Sequence, residues 1–406
     1  MLALLATAEL LGMSLWFAAN AVSTSLADRW EISTSTGAWL TTTVQLGFVT
    51  GTAVAAVLNL ADLVPAARYF AASAMLGATA NAAVLATSDF RLALVTRFLT
   101  GFFLAGVYPP AMKMVATWFR ARRGLAIGTV VGALTIGKAT PYLVLAMVGA
   151  AADSVTRLDD ARTTRVVLAA SIGALAAAVL VLAGYRDGPY PFQTRPFSWR
   201  LVADVSRGRQ WRLATSGYLG HMWELYAFWT WIPAFIAASF AAQSSNPQDA
   251  PSASYVAATA FTTIAIGGLG CIWGGVAADR SGRERLVMLA MAASGGCALL
   301  MPLVFGRTSW LLTIVVCLWS FFVIADSAQF SALVTESVPA HAVGTALTLQ
   351  TSLGFLLTTF SIQLVPPQVE LFGWRWAFPI LALGPALGIL AIRRLAILKR
   401  MLPREP

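Results

Sequence analysis

The sequence predicts an all-α membrane protein whose twelve transmembrane helices form two pseudo-symmetric bundles of six. Of its 406 residues, 58% are apolar and only 11% are charged, whereas soluble domains carry about twice that charged fraction. Apolar runs of about 20 residues, the length that crosses a bilayer as a helix, recur along the whole chain. The composition therefore excludes a set of soluble domains. No nucleic-acid partner is expected, because the bases that give the net charge of +10 lie mostly in loops.

The number of crossings follows from twelve apolar segments. Each is expected to be helical, because a lone strand in hydrocarbon would leave its backbone groups unpaired. Lys and Arg divide by side: 19 of 28 lie in or beside the loops after even-numbered segments or at the C-terminal end. Both termini are therefore expected in the cytoplasm, and the protein in a bacterial-type inner or plasma membrane. The segments are 2–26, 37–61, 69–87, 92–117, 124–151, 166–184, 213–240, 255–278, 286–305, 309–334, 343–366 and 373–396.

The longest connection divides these segments six and six. Residues 185–212 contain three prolines and six arginines, a composition that suits a basic linker on the anionic inner leaflet. A loop without a mechanical role would have the same composition. The predicted domains are an N-terminal bundle over 1–184, this linker, a C-terminal bundle over 213–396 and a cytoplasmic tail over 397–406.

The two halves also resemble each other in sequence. Asp62 follows the second segment as Asp279 follows the eighth, and Gly124 in the fifth matches Gly344 in the eleventh at nearly the same offset. Two markers at one offset predict duplicated six-helix halves, as in transporters whose site lies between repeats. The first copy of the loop motif is degraded, which leaves open whether Asp62 still acts as a gate latch.

The most specific motif lies between the eighth and ninth segments. Gly275, Asp279, Arg280, Gly282 and Arg283 have the spacing Gly-x-x-x-Asp-Arg-x-Gly-Arg, which closely resembles the loop motif of the major facilitator superfamily. Another charged hairpin would supply the arginines, but not readily both glycines and the aspartate at these offsets. The resemblance implies alternating access, in which two six-helix bundles rock about a site near the midplane.

Two sets of glycines predict where the halves meet. Small residues four apart share one helix face and allow close backbone approach. In the resembled family the fifth and eighth helices meet, and the motif aspartate, here Asp279, latches onto the start of the fifth helix. Close packing without gating explains the glycines almost as well. They are Gly124, Gly128 and Gly132 in the fifth segment and Gly267, Gly270 and Gly274 in the eighth.

Two cations lie inside apolar segments. Arg97, with Gly101 four residues later, resembles a family element associated with proton coupling or cavity electrostatics, so we expect a wet cavity or an acidic partner around it. The alternative is that it snorkels to the outer surface. Lys138 lies near the middle of its segment and is a candidate for binding an anionic solute or a carboxylate. A structural ion pair would explain it equally well.

Three acids, Glu9, Glu224 and Asp326, lie within the first, seventh and tenth segments. In the resembled fold these helices and the fourth, which carries Arg97, line the central cavity. A carboxylate there can load and release a proton when it exchanges partners. His221 shares a helix face with Glu224, which predicts a relay or solute clasp, or simply a local hydrogen-bonded pair.

These patterns predict a secondary transporter of a small anionic solute, coupled to protons or to a counter-solute. The alternative is a proton-driven exporter of apolar or cationic compounds, served by the three acids and the aromatic seventh segment. An integral membrane enzyme and a non-transporting sensor are further hypotheses, and catalysis is not expected. The expected partners are a small-molecule substrate and the lipid bilayer, with the protein a monomer. No metal-ligand spacing, cofactor motif or phosphate-binding loop is present in the sequence.

Overall fold

The computed structural model describes residues 1–119, 123–150, 158–190, 198–243 and 251–401. Within these ranges the regular structure is helical, with short 3₁₀ turns beside several helices. The helices are α1 (Leu2–Met13), α2 (Ala18–Ala21), α3 (Ser23–Arg29), α4 (Thr34–Gly37), α5 (Trp39–Val57), α6 (Leu60–Leu63), α7 (Ala66–Ala83), α8 (Phe90–Leu104), α9 (Tyr108–Trp118), α10 (Arg123–Ala150), α11 (Leu158–Gly184), α12 (Trp199–Arg207), α13 (Arg209–Gln243), α14 (Ala253–Ser281), α15 (Arg283–Val304), α16 (Ser309–Ala325), α17 (Ser327–Thr335), α18 (Val343–Phe372) and α19 (Leu383–Met401).

Twelve spans can be assigned to these helices. Eleven helical stretches of the described residues are long and apolar enough to cross a bilayer. The first predicted segment supplies the twelfth span: α1 is too short to cross alone, but the chain continues as α2 and α3. The predicted all-α membrane fold is therefore confirmed. The predicted linker contains α12, whose first turn is capped by the Ser198 hydroxyl accepting from the Leu201 N–H, while its residues 191–197 lie outside the described ranges.

Three spans are broken near their middles: the first between α1 and α2, the fourth between α8 and α9, and the tenth at Asp326 between α16 and α17. In the fourth span Pro109 and Pro110 follow the break, and proline has no N–H to continue a helical ladder. Neither proline nor glycine marks the breaks in the first and tenth spans. Each break frees backbone groups that must find other partners inside the protein.

The two halves meet closely where α10 packs against α14. A Cβ at Gly132 would lie 2.8 Å from the Gly268 carbonyl oxygen, and one at Gly128 would lie 3.2 Å from that of Cys271. Gly132 therefore needs glycine because the backbones approach so closely, and a side chain at Gly128 would be tight. Gly124 lies at the end of this face, where a Cβ would have open space.

The glycines expected on the α14 side of this contact face a different helix. A Cβ at Gly270 would lie 2.1 Å from the Phe321 oxygen, and one at Gly274 would lie 2.0 Å from the Ala325 oxygen. Gly267 likewise faces Ser320 and Ile324 of α16. The prediction that Gly267, Gly270 and Gly274 face the fifth span is wrong. Helix α14 has two glycine faces, and this one packs inside its own bundle.

A matched pair of substitutions tests this packing. Gly274→Ala should lower the melting temperature of the detergent-solubilised protein by several degrees, because overpacking costs about 1–3 kcal/mol. Gly296→Ala, on α15 with nothing within 4 Å of the added Cβ, should leave it unchanged or slightly raised, because alanine favours helix more than glycine. Equal melting temperatures for the two variants would contradict the close approach of α14 and α16.

Candidate functional site

Arg97 lies buried beside the break in the first span. Its guanidinium donates to the carbonyl oxygens of Trp16 at 2.7 Å, Leu15 at 3.3 Å and Leu40 at 3.4 Å, and to Asn81 Oδ1 at 2.8 Å. These acceptors are all neutral, and two of them belong to the residues of the break. Arg97 thus satisfies carbonyls that an unbroken helix would have paired.

These contacts correct the prediction for Arg97. The side chain is only 1% exposed, so it neither snorkels to the outer surface nor faces a wet cavity in this conformation. The described residues place no carboxylate within ion-pair distance of it. The sequence motif identified a special arginine but not its role in bracing the backbone.

Lys138 lies in a cage of aromatic rings between the two halves. Its Nζ is 4.1 Å from the ring centroid of Trp16, 4.5 Å from that of Tyr226 and 5.0 Å from that of Trp229. It also donates a short hydrogen bond to the Tyr226 hydroxyl. The lysine comes from α10 and Tyr226 and Trp229 from α13, so this cation joins the N-terminal half to the C-terminal half. Ring faces stabilise an ammonium most strongly when both are desolvated.

Glu9 lies next to this cage. A Cβ at Gly137 would lie 2.2 Å from the Leu10 carbonyl oxygen, so α1 and α10 touch one residue away from both Glu9 and Lys138. The two residues flank this contact, yet no N–O distance between them is within 4.0 Å. Neither carboxyl oxygen of Glu9 has a hydrogen-bond partner among the described residues, and the side chain is fully buried.

A polar layer closes the cage on the side that the predicted topology makes external. Asn20 Nδ2 donates to the Tyr142 hydroxyl at 2.6 Å and to the Thr230 carbonyl at 3.3 Å, and its Oδ1 accepts from Thr41 Oγ1 at 3.1 Å. Asn20, Tyr142 and Thr230 each follow a cage residue by four positions. We call Asn20, Thr41, Tyr142 and Thr230 the outer layer. Sequence reasoning did not identify it, because a single Asn in an apolar span carries no distinctive signal.

Aromatic side chains fill the space on the other flank of the cage. The Phe48 and Phe355 rings lie 4.6 Å apart, and each also contacts Trp16, at 5.2 Å and 5.6 Å respectively. Phe48 belongs to the N-terminal half and Phe355 to the C-terminal half. Gln363 Nε2, further out on α18, donates to Thr42 Oγ1 at 2.8 Å. The predicted central cavity is therefore closed around Glu9 and Lys138 in this conformation.

The remaining acids form a second group inside the C-terminal bundle. His221 Nδ1 lies 2.8 Å from Asp326 Oδ1. Glu224 accepts from Ser294 Oγ at 2.7 Å and from Trp319 Nε1 at 2.8 Å. The predicted pair of His221 and Glu224 is therefore wrong. Residues three apart on α13 point to different neighbours, and the break at Asp326 carries its carboxylate to the histidine.

The loop motif around Asp279 builds an ion-pair network within the C-terminal half. Arg283 pairs with Glu336 at 2.7 Å, and Lys399 bridges Glu336 and Glu284, both at 2.9 Å. Gly282 has φ of 86°, a backbone conformation that favours glycine. The network ties the loop between α14 and α15 to the C-terminal ends of the tenth and twelfth spans.

The predicted latch is only partly visible. Asp279 and Arg280 are exposed, and a Cβ at Gly275 would lie 3.6 Å from the Gly124 oxygen, so the motif does approach the start of α10. The Asp62 side chain and residues 120–122 lie outside what the structure describes. Their predicted part in gating stays a prediction.

Comparisons with known proteins agree on one fold. A family model described as Major Facilitator Superfamily matches residues 4–362. No curated protein sequence matches significantly. A crystal structure of a point mutant of the nucleoside transporter NupG aligns with TM-score 0.69 and 15% identity, over 97% of this chain and 99% of that one.

Two structures of XylE also align. The proton:xylose symporter bound to 6-bromo-6-deoxy-D-glucose gives TM-score 0.74 and 12% identity, over 99% of this chain and 95% of that one. A partially occluded inward-open form of the xylose transporter from E. coli gives 0.70 and 11%, over 99% and 97%. At these identities the likeness shows the fold alone.

Replacing Arg97 distinguishes a structural role of this side chain from a role in binding solute or protons. Arg97→Lys should lower the melting temperature by several degrees, because an ammonium has fewer donors and each buried acceptor left unpaired costs about 1–3 kcal/mol. Arg91→Lys, the same change at an exposed position of the same helix, should have no effect. A stable Arg97→Lys protein that has lost only transport would show that the arginine acts on solute or protons instead.

Proposed function

This chain belongs to the Major Facilitator Superfamily, and from that membership we propose that it is a secondary active transporter of a small anionic solute, working by alternating access. The family and the shared fold make it a membrane transporter. The solute, the coupling and the residues that carry them are the proposal.

The observation that carries the proposal is the position of Lys138. It is buried at the interface of the two halves and uses one of its three N–H donors on Tyr226. Its other N–H groups face the rings and have no oxygen or nitrogen acceptor among the described residues. Arg97 is the other cation inside an apolar segment, but its bonds go to neutral acceptors that need it for structure. An anionic group entering the interface therefore finds its partner in Lys138.

Charge balance at the closed site indicates what moves with the anion. Unpaired charge is costly in a low-dielectric interior. Ionised Glu9 and protonated Lys138 sum to zero, so an anion added to them leaves one net negative charge. A proton on Glu9 restores neutrality. We therefore propose that one proton enters with each monovalent anion and that Glu9 carries it.

The surroundings of Glu9 support this assignment. An ionised carboxylate with two unpaired oxygens would be strongly unfavourable to bury, whereas a protonated carboxyl group is tolerated more easily. The loaded, closed carrier would then hold a neutral Glu9, and the empty carrier would return with Glu9 and Lys138 neutralising each other. Alternating access links these two states to the two sides of the membrane.

The cellular setting is also a proposal. Both termini lie in the cytoplasm of a bacterial-type inner or plasma membrane if the positive-inside rule holds for this chain. The site is formed within one chain, which supports a working monomer. No enzymatic step is proposed.

Transport in proteoliposomes tests the assignment. Ligand-induced thermal stabilisation across inorganic and organic anions, from phosphate and acetate to citrate and sugar acids, first selects the probe. An inward proton gradient should then drive its accumulation by the native protein. Glu9→Gln should keep anion exchange but lose accumulation at least about tenfold, because a permanently neutral side chain binds anion without carrying a proton. Lys138→Met should lose both activities.

Glu370→Gln, at an exposed position of α18, is the matched control and should behave as the native protein. Anion uptake with unchanged apparent affinity in Lys138→Met would refute the anion site. Proton-driven accumulation in Glu9→Gln would refute the coupling. If apolar or cationic compounds move against a proton gradient and no anion does, the alternative of proton-driven export replaces this proposal.

A further inference from the structure

Several polar atoms around Lys138 have no hydrogen-bond partner among the described residues. They include the indole Nε1 of Trp16 and of Trp229 and both amide atoms of Gln45. The two indoles belong to the rings that enclose the ammonium. All three side chains are buried.

Gln45 faces the same place from α5. Thr41, Gln45 and Phe48 follow the spacing of one helix face. Thr41 bonds Asn20 on one side, and the Phe48 ring contacts Trp16 on the other. Because Gln45 follows Thr41 by four positions and precedes Phe48 by three, we infer that its amide lies between the outer layer and the aromatic cage, on the side of the first span.

Unpaired polar atoms of this kind are rare in protein interiors and call for an explanation. Others, such as those of Thr163 and Thr215, lie elsewhere in the protein, but the ones named here share the neighbourhood of a buried cation. The bracing of Arg97 shows that this protein does pair buried groups even where a helix breaks. The unpaired atoms here lie on the first, second and seventh spans, around the lysine already assigned to the solute. A solute that completes their hydrogen bonds would explain all of them together.

The hydrogen-bond donors and acceptors among these atoms indicate which class of solute fits the site. Donors predominate: two indole N–H groups, the Gln45 amide hydrogens and the spare hydrogens of Lys138. The Gln45 oxygen and Glu9 are the acceptors. Flat ring faces of Trp16, Tyr226 and Trp229 border the same space. Such a site suits a molecule with many oxygens, a few hydroxyl hydrogens and an apolar C–H face.

We propose that the solute is a polyhydroxylated organic anion of the sugar-acid class. This inference rests on the proposed function and adds the hydroxyl groups to it. The carboxylate of the solute binds Lys138, its hydroxyl oxygens accept from Trp16 and Trp229, and Gln45 bonds a hydroxyl by both donating and accepting. A simple carboxylate would leave the indoles and the amide unpaired. A neutral sugar would leave the charge on Lys138 without a counter-charge.

Three probes of equal carbon number test this class in binding and counterflow assays on the full-length protein. Gluconate has the carboxylate and the hydroxyls, hexanoate only the carboxylate, and glucose only the hydroxyls. Gluconate, or galactonate or glucuronate in its place, should bind at least about tenfold more tightly than the other two, because a site built to hydrogen-bond a hydroxyl rejects an analogue that lacks it.

Two variants test which side chains recognise the hydroxyl groups of the solute. Gln45→Leu and Trp229→Phe should each weaken the binding of the sugar acid about tenfold, through the loss of a buried hydrogen bond. Gln45→Leu, outside the rings that enclose the ammonium, should leave hexanoate binding within about twofold, since the carboxylate contact is intact. Thr163→Val is the control: it removes a buried, unpartnered hydroxyl on α11, away from the cage, and should change neither.

The outcomes separate this inference from the function on which it rests. Equal binding of hexanoate and the sugar acids, with both lost in Lys138→Met, would overturn the sugar-acid class and leave the anion transporter standing. Glucose binding as tight as that of gluconate would overturn both. So would the absence of binding by every sugar acid and every simple anion. Unchanged sugar-acid selectivity in Gln45→Leu and Trp229→Phe would also overturn the inference.

Discussion

The requirement that every backbone polar group inside a bilayer find a partner organises the centre of this protein. The first span breaks after Met13, and the break places Trp16 against Lys138. That arrangement is possible because Arg97 supplies the N–H donors that the helix no longer provides, and Asn81 in turn holds Arg97. Arg97 reaches the carbonyls of Leu15 and Trp16, and Asn81, which accepts from Arg97, donates in turn to Val167 and Ser171. The geometry of the aromatic cage therefore depends on an arginine whose side chain does not face the cage.

The overall fold could be predicted from the sequence because it depends on quantities that sum over many residues. Apolar length, the division of bases between loops and the spacing around Asp279 each have a direct physical or family meaning. The family match and the shared fold then confirmed the transporter class. The intramembrane ions were also identified correctly as unusual, because an ionised side chain in hydrocarbon is costly wherever it points.

The partners of those ions could not be predicted. The sequence predicts a wet cavity or an acidic partner for Arg97 and places His221 with Glu224, whereas the structure gives Arg97 backbone carbonyls and gives His221 the carboxylate of Asp326. Both errors come from helix breaks that neither glycine nor proline announces. Spacing along one helix shows which residues share a face, but not which neighbour lies there. The cage itself joins Trp16, Lys138 and Tyr226 from three spans, and nothing in their local sequence links them.

The outer layer has a consequence for how tightly the barrier seals. One amide, that of Asn20, joins groups from the second, fifth and seventh spans through three hydrogen bonds. Displacing the Asn20 side chain strains all three hydrogen bonds at once, so the outer layer opens in one concerted step rather than bond by bond. A barrier that opens in one step spends little time in partly open conformations. The leakage of ions and water through a carrier that is not transporting its solute is then low.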